Sequence, residues 1–169
     1  MLCNLDLDFN TAVKRKIYDV VVVGAGQAGL SISYFLSKSK INHVVLDQGK
    51  LGNAWLNDRW DSFCLVTPNW SITLPGGEYS GSEPGAFMSG KDFRVYLKKW
   101  ATSFNAPVEE HVVVDRIIKE GENFYIGTNQ GKLKSKQVVI ATATYQRPRI
   151  PEEIKELSRN ILLLPASDY

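Results

Sequence analysis

Three glycines and one aspartate carry the clearest chemical signal in the chain. Gly24, Gly26 and Gly29 form a G-x-G-x-x-G pattern, and Asp47 follows further along. In a turn that binds a pyrophosphate, the first glycine allows the tight bend, the second lets backbone approach the phosphates, and the third allows close helix packing. The following helix directs free N–H groups at the anion. Asp47 can bond a ribose 2′-hydroxyl and would repel a 2′-phosphate, which argues against NADP in this site.

The elements that must position these residues are a strand, a helix and a second strand. Residues 17–23 are nearly continuous in β-branched side chains, as is typical of a buried parallel strand. Residues 41–46 are a second Val-rich strand, and a helix is predicted between them over residues 26–38. The predicted apolar face of that helix consists of Ala28, Ile32, Phe35 and Leu36. This β-α-β unit with a glycine turn predicts a dinucleotide site.

Residues 48–90 show no lasting period and predict a long loop. Long loops without secondary structure are usually functional. The aromatic side chains here either cover a flat ring or only fill space beneath the loop, and both interpretations remain open. These residues are Trp55, Trp60, Phe63, Trp70 and Tyr79. A second helix is predicted over residues 89–104, with Ser89 as its N-cap and an aromatic stripe that belongs to the core.

The second half of the chain predicts a change of strand direction. Segments 112–119, 124–128 and 132–136 are separated by turn sequences and predict an antiparallel meander. Residues 137–141 predict a further, buried parallel strand. The predicted fold class is therefore α/β: a Rossmann-like domain over residues 17–169, with a central parallel sheet and a three-stranded antiparallel β-meander, preceded by a tail at 1–16. A plain nicotinamide-binding domain would usually repeat β-α-β instead of the meander.

Composition excludes several other classes of function. The 169 residues carry a net charge of +2 with basic and acidic residues intermixed, so neither nucleic acid nor a membrane is expected as a partner. No apolar run approaches the ~20 residues that span a bilayer. Two cysteines, Cys3 and Cys64, are too few for a disulfide scaffold or a metal site, and Cys64 is expected in the core. We expect a cytoplasmic location, and no oligomeric state is indicated.

Several segments beyond the glycine pattern resemble the N-terminal, FAD-binding portion of class B flavin-containing monooxygenases, which are NAD(P)/FAD-dependent oxidoreductases. Residues 51–76 are similar to a G-x-x-W piece followed by an S-x-x-L-x-T-P piece, and residues 83–88 resemble an acidic-Pro turn. Residues 138–145, VVIATATY, resemble the strand and A-T-G-x-Y turn that close the FAD site. Ala143 stands where the family usually has glycine, and a positive φ there would strain an alanine.

The resemblance implies FAD as the cofactor, with NADPH as the reductant of the full-length family. It implies oxygenation of a small organic substrate through a flavin C4a-(hydro)peroxide. The implied cofactor-binding residues are Gly24, Gly26, Gln27, Ala28, Gly29, Asp47, Gln48, Gly52, Trp55, Leu65, Thr67, Val112 and Thr142. Of these, the residues from Gly24 to Gly29 would surround the pyrophosphate, and Asp47 and Gln48 would contact the adenosine ribose. Gly52 and Trp55 would lie on the ribityl and flavin side, and Leu65 and Thr67 near the isoalloxazine. Val112 would meet adenine through its backbone, and Thr142 would close over the pyrophosphate.

No catalytic side chain or metal ligand is implied, because the cofactor carries the chemistry. His43 and His111 are interpreted as structural or surface residues. The family's F-x-G-x-x-x-H-x-x-x-Y/F signature would fall at residues 159–169, where only Tyr169 agrees and Pro165 replaces the histidine. The second glycine fingerprint, which would bind NADPH, is expected beyond Tyr169.

Two alternatives remain open at this level. One is a flavoprotein reductase of the disulfide or ferredoxin type, although no C-x-x-C pair is present. The other is a truncated, catalytically inactive nucleotide-binding fragment.

Overall fold

A computed structural model describes residues 17–143, 151–156 and 160–164. The predicted tail at 1–16 and the signature residues Tyr145, Pro165 and Tyr169 lie outside these ranges. Within the described ranges, two short 3-10 helices occur at Asn69–Ser71 and Glu152–Glu156. The strands and α-helices are β1 (Ile17–Val23), α1 (Gln27–Lys38), β2 (His43–Leu46), α2 (Asn53–Asn57), β3 (Thr73–Leu74), β4 (Gly77–Glu78), α3 (Gly90–Ser103), β5 (Val108–Glu109), β6 (Val114–Glu120), β7 (Asn123–Thr128) and β8 (Gly131–Ile140).

One sheet of six strands organises the described chain, in the order β5-β2-β1-β8-β7-β6. The first four run parallel, and β8, β7 and β6 form an antiparallel meander. Strand β1 lies between β2 and β8: it pairs with β8 from Ile17 to Val23 and with β2 from Val20 to Val23. The predicted fold class, with its parallel sheet and three-stranded meander, is therefore confirmed.

The prediction of two separate strands at 132–136 and 137–141 is wrong. Strand β8 continues without a break for 10 residues. Its first half pairs with β7 and its second half with β1, and both pairings include Lys134 and Ser135. Residues 132–140 contain no glycine, proline, asparagine or aspartate to form a turn, and a single long strand joins the meander to the parallel sheet.

The predicted apolar face of α1 is also wrong. The buried residues of this helix are Gly29, Leu30 and Ser33, and the predicted Leu36 is only partly buried. The remaining predicted face residues, Ala28, Ile32 and Phe35, are exposed. The close contact at Gly29, which the glycine pattern predicts, decides which side of the helix meets the sheet.

Ser33 is tolerated in the buried face because it has a partner. Its hydroxyl lies 2.8 Å from Nε2 of His43, which is itself 7% exposed. The other ring nitrogen of His43, Nδ1, lies 2.9 Å from the carbonyl oxygen of Ile41 and must donate to it. In the neutral ring Nε2 is therefore an acceptor, and the Ser33 hydroxyl donates to it. His43 has a structural role, as predicted.

Helix α3 is the second layer of the core. Ser89 caps it, because its hydroxyl oxygen accepts the backbone N–H of Asp92 at 3.1 Å. Phe93, Leu97 and Trp100 are buried, so the aromatic stripe belongs to the core as predicted. The Trp100 indole N–H donates to the carbonyl oxygen of Pro75 at 3.1 Å, which ties the β3–β4 hairpin to the helix.

Cys64 is exposed, so the prediction that it belongs to the core is wrong. It lies in an extended segment that forms a bridge with Ser89. Side chains alternate in direction along extended backbone. Phe63 and Leu65 are partly buried, and the cysteine between them faces outward. Within the described ranges, no helix combines the length and apolar character needed to cross a membrane.

The Ser33–His43 contact gives a test of the packing between α1 and β2. Replacing Ser33 with alanine should lower the free energy of unfolding by about 1–3 kcal/mol, because a buried acceptor loses its donor. The matched control is Ser31→Ala on the same helix, where the hydroxyl bonds only to the Gln27 carbonyl. That control should stay within about 0.5 kcal/mol. Urea unfolding measures both, and equal losses would contradict the assignment.

Candidate cofactor-binding site

The carboxyl ends of β1, β2 and β8 meet at one edge of the sheet, and a cleft opens there. Strand β1 has a crossover helix to β2 on one side and the meander strand β8 on the other. In open α/β sheets, ligands bind in the crevice outside the carboxyl ends of the strands. The cleft is lined by Val23, Gly24, Gly26, Leu46, Asp47, Gln48, Gly52, Asn53, Ala54, Trp55, Asp58, Val112, Val113, Val114, Ala141, Thr142 and Ala143.

The turn after β1 is shaped by two glycines that the protein's own packing requires. Gly24 has a φ of 109°, and a Cβ on it would collide with the carbonyl oxygen of Ala141. A Cβ on Gly29 would collide with the carbonyl oxygen of Gly24. The N–H of Gly24 donates to the carbonyl oxygen of Leu46 at 2.7 Å, which holds the turn against the end of β2.

Gly26 differs from these two. Its φ of −84° and ψ of −172° are accessible to any residue. No atom lies within 4 Å of the position where a Cβ would stand. Neither backbone conformation nor packing among the described residues therefore requires glycine here. The open space belongs to the cleft, and it fits a bound group that approaches the backbone closely, as the pyrophosphate of FAD would.

The first turn of α1 provides donors beside that space. Gly26 is the N-cap and offers no side-chain cap, and the first turn holds no acidic residue. The first N–H groups of a helix have no intrahelical partner and lie at the positive end of its dipole. Gln27 and Ala28 begin the helix with exposed side chains. Their backbone N–H groups are suited to hold an anion.

Asp47 connects the end of β2 to the glycine turn. Its Oδ2 accepts the N–H of Ala25 at 2.7 Å, and its Oδ1 accepts the N–H of Gly49 at 2.8 Å. A carboxylate offers about four acceptor positions, so two remain for ligand hydroxyls. The carbonyl oxygen of Asp47 accepts the N–H of Val112 at 2.8 Å, which brings the 112–114 segment to the cleft.

The opposite wall comes from the short helix α2. Gly52 begins it with a φ of 67°, and its N–H donates to the carbonyl oxygen of Ala25 at 3.2 Å. Trp55 packs edge-on against Phe93, with ring centroids 4.7 Å apart, so helix α3 fixes the orientation of its ring. Arg59 lies over the Trp55 ring, with its guanidinium carbon 5.5 Å from the centroid.

The structure brings most of the expected binding residues together, and their roles stay predictions. Eight of them line the cleft: Gly24, Gly26, Asp47, Gln48, Gly52, Trp55, Val112 and Thr142. Gln27 and Ala28 begin the adjacent helix, and Gly29 packs beneath the turn. Leu65 and Thr67 do not line the cleft: Leu65 packs against the core and Thr67 is exposed.

Other lining residues carry no signal in the sequence that assigns them to a site. Asn53 and Asp58 flank Trp55 on and just after α2. In the sequence, Asn53 and Asp58 are marked only by their position within or next to the G-x-x-W piece, and this position does not predict what they bind. Ala143 stands out in the sequence only as a departure from a family pattern. Its φ is 61°, so the position does require the left-handed conformation that favours glycine.

Comparison with known proteins agrees with this geometry. A family model described as pyridine nucleotide-disulphide oxidoreductase matches residues 21–158. The chain belongs to this family. Its curated relatives include the uncharacterized oxidoreductase CzcO of Bacillus subtilis (strain 168), which is 38% identical over 154 residues, covering 90% of this chain and 44% of that protein. The thioredoxin reductase of Treponema pallidum (strain Nichols) is 28% identical over 146 residues, covering 85% of this chain and 41% of that protein.

Among solved structures, a mutant of the flavin monooxygenase from Stenotrophomonas maltophilia superposes with a TM-score of 0.73 and 30% identity. The match covers 81% of this chain and 41% of that one. The resemblance to flavin monooxygenases within the pyridine nucleotide-disulphide oxidoreductase family is confirmed, and the matched region is the N-terminal portion of such proteins. The chain spans less than half the length of these relatives.

The positive φ of Ala143 predicts a gain in stability on substitution. Ala143→Gly should raise the free energy of unfolding by about 1 kcal/mol, because glycine adopts this conformation without a Cβ penalty. Ala141→Gly, two residues earlier and without a positive φ, is the matched control. It should lower stability by roughly 0.5–1 kcal/mol, since it removes a side chain from a strand end without relieving strain. Thermal unfolding measures the change in stability of both variants. A destabilised Ala143→Gly variant would contradict the claim that the backbone at Ala143 is strained.

Proposed function

We propose that the chain is the FAD-binding portion of an NADPH-dependent, flavin monooxygenase-like oxidoreductase that oxygenates a small organic substrate. The observation that carries the proposal is the space at Gly26, where a glycine is present without a conformational or packing reason. That space lies beside an uncapped helix N-terminus and within the cleft that contains Asp47. Similarity to a solved flavin monooxygenase favours FAD over other dinucleotides.

Each part of FAD would have a distinct set of partners. The N-terminal N–H groups of α1 and the bare backbone at Gly26 would hold the pyrophosphate. The free acceptor positions of Asp47 would bond the adenosine ribose, and the backbone at Val112 would meet adenine. Trp55 would form a rigid apolar wall on the flavin side, because α3 fixes its ring through Phe93.

Bound FAD would supply hydride acceptance and oxygen activation. The residues of this chain would bind it, orient it and shield one side of it from water. NADPH as reductant and oxygenation as the reaction are proposed from the relatives, and the substrate would be a small molecule. A cytoplasmic location is proposed because the two cysteines of the sequence fit a reducing compartment.

A flavoprotein disulfide reductase is the second candidate, favoured by the similarity to a thioredoxin reductase. The observation at Gly26 is common to both candidates, whereas the similarity of residues 51–76 and 138–145 to segments of flavin-containing monooxygenases favours the monooxygenase-like one. Flavin-loaded protein that oxidises no NADPH would instead favour a catalytically inactive nucleotide-binding fragment.

The proposal predicts that the purified chain binds FAD and that Gly26 controls the affinity. Gly26→Val should weaken FAD binding by about tenfold or more, because the side chain enters the space reserved for the phosphates. Folding should be unchanged, since a Cβ at this position has no protein atom within 4 Å among the described residues. Quenching of flavin fluorescence gives the dissociation constant, and visible absorbance reports retained cofactor.

Gly85→Val is the matched control for this substitution. Gly85 also has open space where a Cβ would stand and has no positive φ, but it lies outside the cleft. Its affinity for FAD should equal that of the unmodified chain. A folded chain that remains colourless with added FAD, or a Gly26→Val variant that binds FAD normally, would refute the proposal.

A further inference from the structure

Two carboxylates line the cleft, one beside the glycine turn and one further along the chain, after α2. Asp47 contacts the glycine turn directly through Ala25. Asp58 also lines the cleft, but it follows the last residue of α2, whose beginning at Gly52 is bonded to Ala25. Six residue steps along α2 separate Gly52 from Asp58, a rise of about 9 Å at 1.5 Å per residue. The two carboxylates therefore lie at different distances from the glycine turn: Asp47 bonds Ala25 directly, whereas Asp58 follows the end of α2 that is far from Ala25.

The carboxylate of Asp58 can contact only certain groups of a ligand. Ionised Asp58 only accepts hydrogen bonds, so a ligand must present a donor to it. Among the described residues that line the cleft, the ionisable side chains are Asp47 and Asp58. The neighbouring Arg59 places its guanidinium over the rings of Trp55 and Phe63 and donates to the backbone carbonyl oxygen of Asp58 at 3.1 Å.

FAD offers few donors on its flavin side. They are the hydroxyls of the ribityl chain and the N3–H of the isoalloxazine ring. The ribityl chain follows the pyrophosphate directly, so its hydroxyls are the donors nearest to the α1 N-terminus. A second phosphate near Asp58 would be repelled, whereas an uncharged polyol would be favoured.

We propose that Asp58 is a further cofactor-binding residue whose carboxylate accepts hydrogen bonds from the ribityl hydroxyls. The inference rests on the proposed FAD-binding function and extends it to the other half of the cofactor. Asp47 would recognise the hydroxyls of the adenosine ribose, and Asp58 those of the ribityl chain. Together they would select a ligand with a neutral polyol on each side of a central diphosphate.

The test compares FAD with ADP, which lacks the ribityl chain and the flavin. Asp58→Ala should weaken FAD binding by about tenfold, as expected for loss of a charge-assisted hydrogen bond at an exposed site. Its affinity for ADP should stay within about twofold of the unmodified chain. Asp58→Asn keeps the size of the side chain and one acceptor oxygen, so its FAD affinity should fall by about threefold. Asp47→Ala should weaken both ligands.

Asp61→Ala is the matched control, because Asp61 is an exposed aspartate on the same segment that does not line the cleft. It should change neither affinity. Circular dichroism of each variant checks that the fold is kept, and titration calorimetry measures both ligands.

Three outcomes would overturn the assignment of Asp58. Normal FAD affinity in both Asp58 variants, or equal losses for FAD and ADP, would remove its ribityl role while leaving FAD binding by the unmodified chain intact. A shift in the visible absorption maxima of FAD bound to Asp58→Asn would place the carboxylate at the ring N3–H instead. An unmodified chain that binds ADP but not FAD would refute the proposed function itself, and this assignment with it.

Discussion

The close approach of three backbone segments at Gly24 is the constraint on which the rest of the structure depends. The end of β1, the first turn of α1 and the segment after β8 meet there with no room for a Cβ on Gly24 or Gly29. The N–H of Gly24 also bonds the end of β2 at Leu46. This contact fixes the direction in which α1 leaves the sheet. It also creates the cleft, because the strands on both sides of β1 end at the same edge.

Hydrogen bonds within the protein hold the cleft in shape without a ligand. Asp47 bonds the N–H of Ala25, and the carbonyl oxygen of Ala25 accepts the N–H of Gly52. The turn is thereby joined to β2 on one side and to α2 on the other. Ring packing of Trp55 on Phe93 extends the same support to α3. A site that is already ordered loses less entropy on binding, which favours affinity.

Ala143 and Gly26 differ in whether the backbone conformation requires a glycine. At Ala143 the backbone demands a positive φ, and the chain meets that demand with an alanine, at a cost in stability. At Gly26 the backbone demands nothing, yet the chain keeps a glycine. At Ala143 the conformation favours glycine, and the protein adopts it with an alanine that is less suited to it. Gly26 leaves an empty volume beside helix N–H groups, and this is the feature that relates the fold to a bound pyrophosphate.

Local sequence determined the β-α-β unit, the glycine turn, the Ser89 cap and the meander, because each depends on neighbouring residues or on a short period. Tertiary contacts decided which side chains of α1 are buried beside Gly29 and the outward direction of Cys64. They also brought Asn53 and Asp58 into the cleft and left Leu65 and Thr67 outside it. The physical reason is that these outcomes depend on which distant backbone segment lies opposite. The type and spacing of residues in one segment do not identify the distant segment that packs against it.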